Sequence, residues 1–231
     1  MSRPVPAFWQ DLLPPGTLPG GAADGYADAY PAGLPDGREI ALPIRPLPEG
    51  GGAAVASLIL NQASFAVEDA LADRVAALLA GAAVEVVVAV PTLGLTLANA
   101  VARRLGHRRL VPLGTSRKFW YDDALSVPVT SITSPGAGKR LYLDPRTVAV
   151  LAGRRVAVVD DVLSTGATLL SVLDLLAQAD VAPAAAAFAM VQGDRWRPRL
   201  AASPHAGLAI HGAVATPRLR AGPDGRYRPA P

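Results

Sequence analysis

The sequence lacks several residue types that common kinds of protein chemistry require. It contains no cysteine, which excludes disulfide bonds, thiolate nucleophiles and cysteine-ligated zinc sites. Its three histidines, His107, His205 and His211, are dispersed along the chain, and no G-x-S-x-G segment occurs. Nothing therefore indicates a histidine metal cluster or a serine nucleophile.

Long apolar runs are also missing. The valine-rich stretch at residues 84–90 contains Glu85 and is followed by Pro91, so it falls short of the roughly 20 residues of a membrane-spanning helix. The first residues lack the basic and then apolar pattern of a secretory signal. We therefore expect a cytoplasmic protein without a membrane partner.

Lysine is scarce, and its placement is informative. Only Lys118 and Lys139 are lysines among 22 basic residues, and both lie in residues 114–140, a stretch without a sustained hydrophobic period. A long irregular segment inside a compact domain is usually functional or disordered. Because a flexible ammonium on a closing loop can reach a diphosphate, this stretch is interpreted as a functional lid.

Charge is distributed unevenly along the chain. Residues 192–231 carry seven arginines against two acids, whereas residues 1–50 carry three arginines against six acids. A basic end can indicate nucleic-acid binding, but no recognition helix or interleaved aromatic residues accompany it. We therefore disfavour nucleic acid as a partner and predict that residues 215–231 form a solvated, arginine-rich tail.

Length, composition and periodicity predict one α/β domain. The chain has 231 residues, 51% of them hydrophobic, which suits a single sizeable core. Strand patterns alternate with helical patterns at 97–105 and 165–179, and this order predicts a parallel sheet flanked by helices. The predicted strands of this sheet are residues 84–90, 108–113, 156–159, 184–191 and 208–211.

An irregular hood is predicted to cover this core. Residues 1–52 hold ten of the 22 prolines, which excludes a long helix there. Residues 38–44 and 54–60 read as antiparallel strands, and a helix is predicted at residues 65–79. The domain is thus divided into a hood of about residues 1–80, a core of about 82–192, and a C-terminal strand and basic tail at 193–231.

The most informative stretch is residues 154–168. A buried valine-rich strand is followed by Asp160 and Asp161, then by small and hydroxyl-bearing residues, and a helix begins near Thr165 or Gly166. Free N–H groups at a helix N-terminus bind anions, whereas carboxylates beside a phosphate need another partner, such as sugar hydroxyls or Mg²⁺. The combination indicates a ribose phosphate site.

A second turn with small residues follows the strand at 84–90. It contains Thr92, Leu93 and Gly94 and precedes a predicted helix, so it offers a second anion site. An ordinary connection between a strand and a helix would have the same composition, and both interpretations stay open.

These residues carry a family resemblance. The run from Val158 to Thr168 closely resembles the phosphoribosyl-pyrophosphate (PRPP) motif of type I phosphoribosyltransferases, especially the adenine phosphoribosyltransferase-like branch. The resemblance covers about residues 82–192. It implies the type I phosphoribosyltransferase fold, a homodimer, and Mg²⁺-dependent transfer of ribose 5-phosphate from PRPP to a nitrogenous base, expected to be a purine, with release of pyrophosphate.

The resemblance also implies roles for individual residues. Asp160 and Asp161 would bind the ribose hydroxyls and the metal, directly or through those hydroxyls, and with Lys118 they are the predicted catalytic residues. The predicted ligands of the 5′-phosphate are Leu163, Ser164, Thr165, Gly166, Ala167 and Thr168. The predicted ligands of pyrophosphate are Thr92, Leu93, Gly94, Arg117, Lys118 and Lys139.

Three residues after the strand at 184–191 are candidates for the base. Gln192, Asp194 and Trp196 follow the carboxyl end of this strand, where ligands of open α/β sheets bind, and they could read or stack a base. A plain surface turn is the alternative.

The predicted lid departs from the family pattern. Members carry a tyrosine and a glutamate there, whereas this chain has Ser134, Pro135, Gly136 and Ala137 and no acid between Asp123 and Asp144. The alternative function is therefore a non-catalytic regulator that senses PRPP or a nucleotide.

Overall fold

The computed structural model describes residues 10–18, 21–48, 50–129 and 140–230. Within these ranges the chain forms strands and α-helices in the following order. The strands are β1 (Leu12–Leu13), β2 (Ala29–Gly33), β3 (Glu39–Pro46), β4 (Ala53–Ala56), β5 (Val86–Ala89), β6 (Val111–Pro112), β7 (Ser126–Pro128), β8 (Arg140–Tyr142), β9 (Val156–Leu163), β10 (Ala185–Gln192), β11 (Ala209–Thr216), β12 (Arg218–Ala221) and β13 (Tyr227–Pro229). The helices are α1 (Phe65–Ala80), α2 (Gly94–Arg104), α3 (Pro145–Leu151), α4 (Ala167–Ala177) and α5 (Trp196–Ala201).

A parallel sheet with the order β11-β10-β9-β5-β6 forms the centre of the domain. Along β9, Ala157 and Val159 join the apolar cluster under α1 and α2, while Val156 and Val158 join the cluster under α4. A strand covered on both faces must be apolar at every position, which explains this valine run. The predicted fold, a parallel sheet flanked by helices, is confirmed.

The order of the strands creates a crevice at one edge of this sheet. The chain leaves β5, forms β6 on one side, and then returns to form β9 on the other side of β5. At such a switch point the connections after the two central strands diverge, and ligands of open α/β sheets bind between them. The crevice lies beyond the carboxyl ends of β5 and β9, where the two predicted anion-binding turns begin.

The hood is an antiparallel sheet with the order β1-β3-β4-β12-β13, and β2 pairs with the other side of β3. The predicted solvated tail at residues 215–231 is therefore wrong. β12 pairs with β4, and Tyr227 of β13 bridges to Tyr26. β12 and β13 are four and three residues long. Leu219 and Tyr227 are buried in the small apolar cluster beneath them, and Ala221 packs against it, which is too sparse a pattern to read from the sequence.

The C-terminal arginines bind backbone and carboxylate groups of this hood. Arg226 donates to the carbonyl oxygens of Asp24 and Gly25, and Arg228 forms an ion pair with Asp224 at 2.7 Å. Much of the basic end is thus structural.

Two further boundaries differ from the prediction. The predicted strand at 54–60 ends at Ala56, and a 3₁₀ turn at Leu60–Gln62 precedes α1. The stretch at 114–140 contains a second 3₁₀ turn, and β7 pairs with β8 as a short antiparallel ribbon. β7 and β8 precede and follow residues 130–139 in the chain. These residues, which include Lys139, lie outside the described ranges. Among the described helices, none combines the length and the apolar character needed to cross a bilayer.

Candidate active site

The first part of the site is the turn between β9 and α4. Gly166 precedes the first residue of α4 and has φ of +80°, a conformation that favours glycine. A Cβ atom there would also lie 3.1 Å from Cβ of Trp196. The first N–H groups of α4 have no partner within the helix, so this end could accept an anion, and the hydroxyls of Ser164, Thr165 and Thr168 could add donors.

Two carboxylates lie beside this turn, within β9. Asp160 is buried, and its Oδ1 accepts the backbone N–H of Asp161 at 2.8 Å. Burial raises the pKa of Asp160 well above its usual range, and the adjacent Asp161 carboxylate raises it further. Burial also raises the pKa of Asp161. A ligand with hydroxyl donors or a cation would stabilise the charged form of this pair.

The second predicted turn lies in contact with this pair. The backbone N–H of Val90 donates to the Val159 carbonyl at 3.1 Å, and α2 begins at Gly94, three positions before the predicted start at residue 97. A Cβ atom on Gly94 would lie 2.6 Å from Oδ1 of Asp160. The N-terminus of α2 therefore directly adjoins the carboxylates, and the residues Thr92, Leu93 and Gly94 meet the β9 segment at the crevice.

Arg117 and Lys118 follow β6, at the same edge of the sheet. Lys118 is exposed, and Arg117 forms an exposed ion pair with Asp123 at 2.7 Å. The Arg117 guanidinium lowers the pKa of Asp123 by hydrogen bonding. The ion pair with Asp123 occupies the Arg117 guanidinium, and because both side chains are exposed the pair contributes little to stability.

Trp120, which follows Arg117 and Lys118 in the chain, contacts Asp144 and Arg146 in a way that was not predicted from the sequence. Trp120 donates its indole N–H to Oδ2 of Asp144 at 3.3 Å, and the Arg146 guanidinium lies 4.9 Å from the Trp120 ring centroid. Asp144 also caps α3 by accepting the Arg146 backbone N–H. The Asp144-Pro145 pair at the start of α3 is a sequence signal for this cap, although not for its contact with Trp120.

We expect Asp144→Ala to lower the free energy of unfolding by about 1 kcal/mol at pH 7, because α3 loses its cap. Hydrogen bonding to Arg146 lowers the pKa of Asp144 to about 2 from the usual 3.8, so its contribution is present above pH 4. The difference from wild type should fade as the pH falls from about 4 to about 2. Urea unfolding at several pH values measures it. Asp144→Asn, which still caps, is the control, and an alanine variant as stable as wild type at pH 7 would contradict the assignment.

The three candidate base residues have different environments. Gln192 is buried, donates to the Ala56 carbonyl at 2.8 Å and accepts from the Ser164 hydroxyl at 3.3 Å. Asp194 is exposed before α5. Trp196 is 6% exposed, and its indole N–H donates to the Gly193 carbonyl at 3.2 Å. This burial contradicts a stacking role for Trp196, whose Cα and Cβ atoms lie beside Gly166.

The acidic groups at the crevice suit a metal that is held mainly by its substrate. No cluster of three or more histidine, cysteine or acidic side chains occurs in the ranges that the structure describes. Mg²⁺ commonly binds one or two protein carboxylates and takes its remaining ligands from phosphates and water. Asp160 and Asp161 provide hard oxygen donors of that kind, so the residues fit this ion.

Sequence comparison identifies related proteins. Residues 57–202, more than half of the chain, match the family described as Phosphoribosyl transferase domain. A hypoxanthine/guanine phosphoribosyltransferase from Methanosalsum zhilinae is 34% identical over 98 residues. That alignment covers 42% of this chain and 47% of the relative, so the chain spans about half the length of the curated relative that it matches.

Solved structures share the fold. An APRTase from Giardia lamblia, complexed with 9-deazaadenine, superposes with a TM-score of 0.60 at 21% identity, over 76% of this chain and 93% of that chain. An adenine phosphoribosyltransferase from Thermoanaerobacter pseudethanolicus gives a TM-score of 0.55 at 21% identity, over 76% and 95% of the two chains. At these identities the likeness is one of fold.

Proposed function

The chain belongs to the phosphoribosyltransferase family, and on that premise we propose that it transfers ribose 5-phosphate from PRPP to a purine base, with release of pyrophosphate. One observation carries the proposal. The adjacent carboxylates of buried Asp160 and half-buried Asp161, the N-terminus of α4 after Gly166, and the Gly94 turn meet at the switch point between β5 and β9. A ribose that bears a phosphate at one end and pyrophosphate at the other needs these three kinds of partner.

In the proposed complex each part of PRPP has its own ligands. The N–H groups at the start of α4 and the nearby hydroxyls hold the 5′-phosphate, while Asp160 and Asp161 accept hydrogen bonds from the ribose hydroxyls. The Gly94 turn, Arg117 and Lys118 bind the pyrophosphate, and Lys139 is expected to join them. Bound Mg²⁺ would supply positive charge beside the pyrophosphate, held by its oxygens and by the two aspartates, directly or through the ribose hydroxyls.

The proposed reaction exchanges one bond at the anomeric carbon for another. The bond to the pyrophosphate oxygen breaks and its electron pair leaves with pyrophosphate, while a base nitrogen donates its lone pair to the carbon and its proton passes to the released pyrophosphate. Orientation and positive charge near the leaving group supply most of the acceleration in such a step. Lys118 and Arg117 serve the leaving group, and a lid at 114–140 would exclude water.

The base is proposed to be a purine because both kinds of relative are named for purines. The curated relative is named for hypoxanthine and guanine, and the similar structures are named for adenine. These names favour no single purine.

A homodimer remains a prediction, which analytical ultracentrifugation can test.

A regulatory protein that binds PRPP without turnover is the second candidate. The specific observation in its favour is that the sequence has no acid between Asp123 and Asp144, where the resembling enzymes carry a glutamate. Ligand binding would be the same in both cases, and only turnover separates them.

We expect pyrophosphate to be released when the protein is incubated with PRPP, Mg²⁺ and at least one of adenine, hypoxanthine and guanine. Chelation of the metal with EDTA should abolish the release, and added Mg²⁺ should restore it. A reaction without base controls for PRPP hydrolysis. Tight PRPP binding without turnover of any base would favour the regulator, and absence of PRPP binding would reject both candidates.

A further inference from the structure

Gln192 connects the phosphate-binding turn to the hood. Its side chain is buried at 7% exposure and lies at the end of β10. The amide nitrogen donates to the Ala56 carbonyl of β4 at 2.8 Å, and the amide oxygen accepts from the Ser164 hydroxyl at 3.3 Å. Ala56 and Gln192 are 136 positions apart in the chain. The side chain of Gln192 therefore links β10 of the core to β4 of the hood, two strands that are far apart in the sequence.

The direction of each hydrogen bond is fixed by chemistry. A carbonyl oxygen can only accept, so the amide nitrogen of Gln192 must face Ala56, and the amide oxygen must face Ser164. A serine hydroxyl has one proton to donate. When Ser164 donates that proton to a phosphate oxygen, the amide oxygen of Gln192 loses its donor. A buried acceptor without a donor is unfavourable, so the side chain will shift toward a new partner and disturb its bond to Ala56.

We infer that Gln192 is a positioning residue that transmits occupancy of the phosphate turn to the hood at Ala56. The inference rests on the proposed function, because it requires a phosphorylated sugar at Ser164. It replaces the predicted base contact with a mechanical role: phosphate binding loosens the link between β10 and β4, and the hood segment after β4 becomes free to adjust. PRPP would thereby prepare the hood before the base arrives.

A second glutamine provides a natural comparison. Gln10 is also buried, at 2% exposure, and it binds the same hood segment. Its amide nitrogen donates to the Ser57 carbonyl at 2.9 Å, and its amide oxygen accepts the Ile59 backbone N–H at 3.4 Å. Both of its bonds are to the hood segment. Loss of Gln10 should loosen this segment without affecting its response to phosphate.

Hydrogen–deuterium exchange with ribose 5-phosphate as the probe tests the inference. In wild type, saturating ligand should slow exchange of residues 163–168 and speed exchange of residues 55–60 by about twofold or more. Gln192→Met should keep protection of the turn and lose the response of the hood. Ser164→Ala removes one ligand donor and should weaken binding, but at a ligand concentration that saturates it the backbone N–H groups should still protect the turn, and the response of the hood should be lost. Gln10→Met should raise basal exchange of the hood but keep its response. Gln178→Met, at an exposed position after α4, should behave like wild type.

The outcomes separate the link from general stability. Loss of the hood response in the Gln192 and Ser164 variants, with its retention in Gln10→Met, supports the link. A hood response that persists in Ser164→Ala overturns it, and so does a response lost equally in Gln10→Met, which would reflect loosening alone. The serine variant decides the matter if Gln192→Met does not fold. Protection of the turn without any hood response in wild type rejects the link only, whereas absence of protection rejects the proposed phosphate site as well.

Discussion

Replacing Asp160 and Asp161 together by asparagine is expected to weaken PRPP binding by about 100-fold or more, because two charge-assisted hydrogen bonds to the ribose are lost. Isothermal titration with PRPP and Mg²⁺ measures the affinity. Each single variant should lose less than the double variant. Unchanged binding in the double variant would show that the ribose contacts another part of the site.

The same double variant should be at least as stable as wild type. Burial raises the pKa values of both carboxyls, and the adjacent Asp161 carboxylate raises that of Asp160 further, so their ionisation destabilises the folded state. The free energy of unfolding of wild type should therefore fall as the pH rises above 3.8, the usual value for aspartate, toward the raised pKa values. The asparagine variant should lack this fall.

Urea unfolding across this pH range measures the effect. Asp180→Asn is the matched control, because Asp180 is exposed, lies away from the crevice and has φ of 55°, a conformation that asparagine readily adopts. A double variant that unfolds more easily than wild type at neutral pH would contradict the destabilising effect of ionising these two carboxyls.

Gly94→Ala is expected to damage the site from the opposite side of the crevice. The added Cβ would lie 2.6 Å from Oδ1 and 2.8 Å from Cα of Asp160, so it meets backbone that cannot rotate away. Overpacking of this kind typically costs about 1–3 kcal/mol, and separation of the two turns should also reduce PRPP affinity. Denaturant unfolding and PRPP titration on the same preparation measure the two effects.

Gly81→Ala is the matched control for this substitution. Gly81 follows α1 with φ of −68°, and no atom lies within 4 Å of the position that its Cβ would take. Alanine should fit there with a change within about 0.5 kcal/mol. If Gly94→Ala proved as harmless as Gly81→Ala, the close approach of the α2 turn to Asp160 would be wrong.

The sequence was most informative where the determinants are local. The valines of β9, the adjacent aspartates and the following glycine specify a strand, a turn and a helix within one short segment, and β9 with α4 confirmed that prediction. The parallel sheet followed from the alternation of strand and helix patterns. The strand is longer than predicted. It continues through Asp160 and Asp161 to Leu163, because β10 pairs with it up to this residue.

What could not be predicted depends on contacts between distant positions. Neither Gln192 nor Ala56 has neighbours in the sequence that reveal their hydrogen bond. The ring of Trp196 was predicted to be available for stacking, but burial is a property of the folded chain, and here the residue is only 6% exposed. The hood strands β12 and β13 carry few apolar residues, so their pairing with β4 and Tyr26 left no periodic signal.

The pairing of Tyr26 with Tyr227 has a consequence for biosynthesis. The first hood strands leave the ribosome early, but their partners in the completed sheet lie 163 to 201 positions later and emerge after them. Domains acquire structure progressively during synthesis, and contacts at large sequence separation form slowly. The parallel core can therefore assemble on the nascent chain before its cover exists. A ribosome-bound chain whose emerged part ends before residue 218 would carry a crevice without the completed hood.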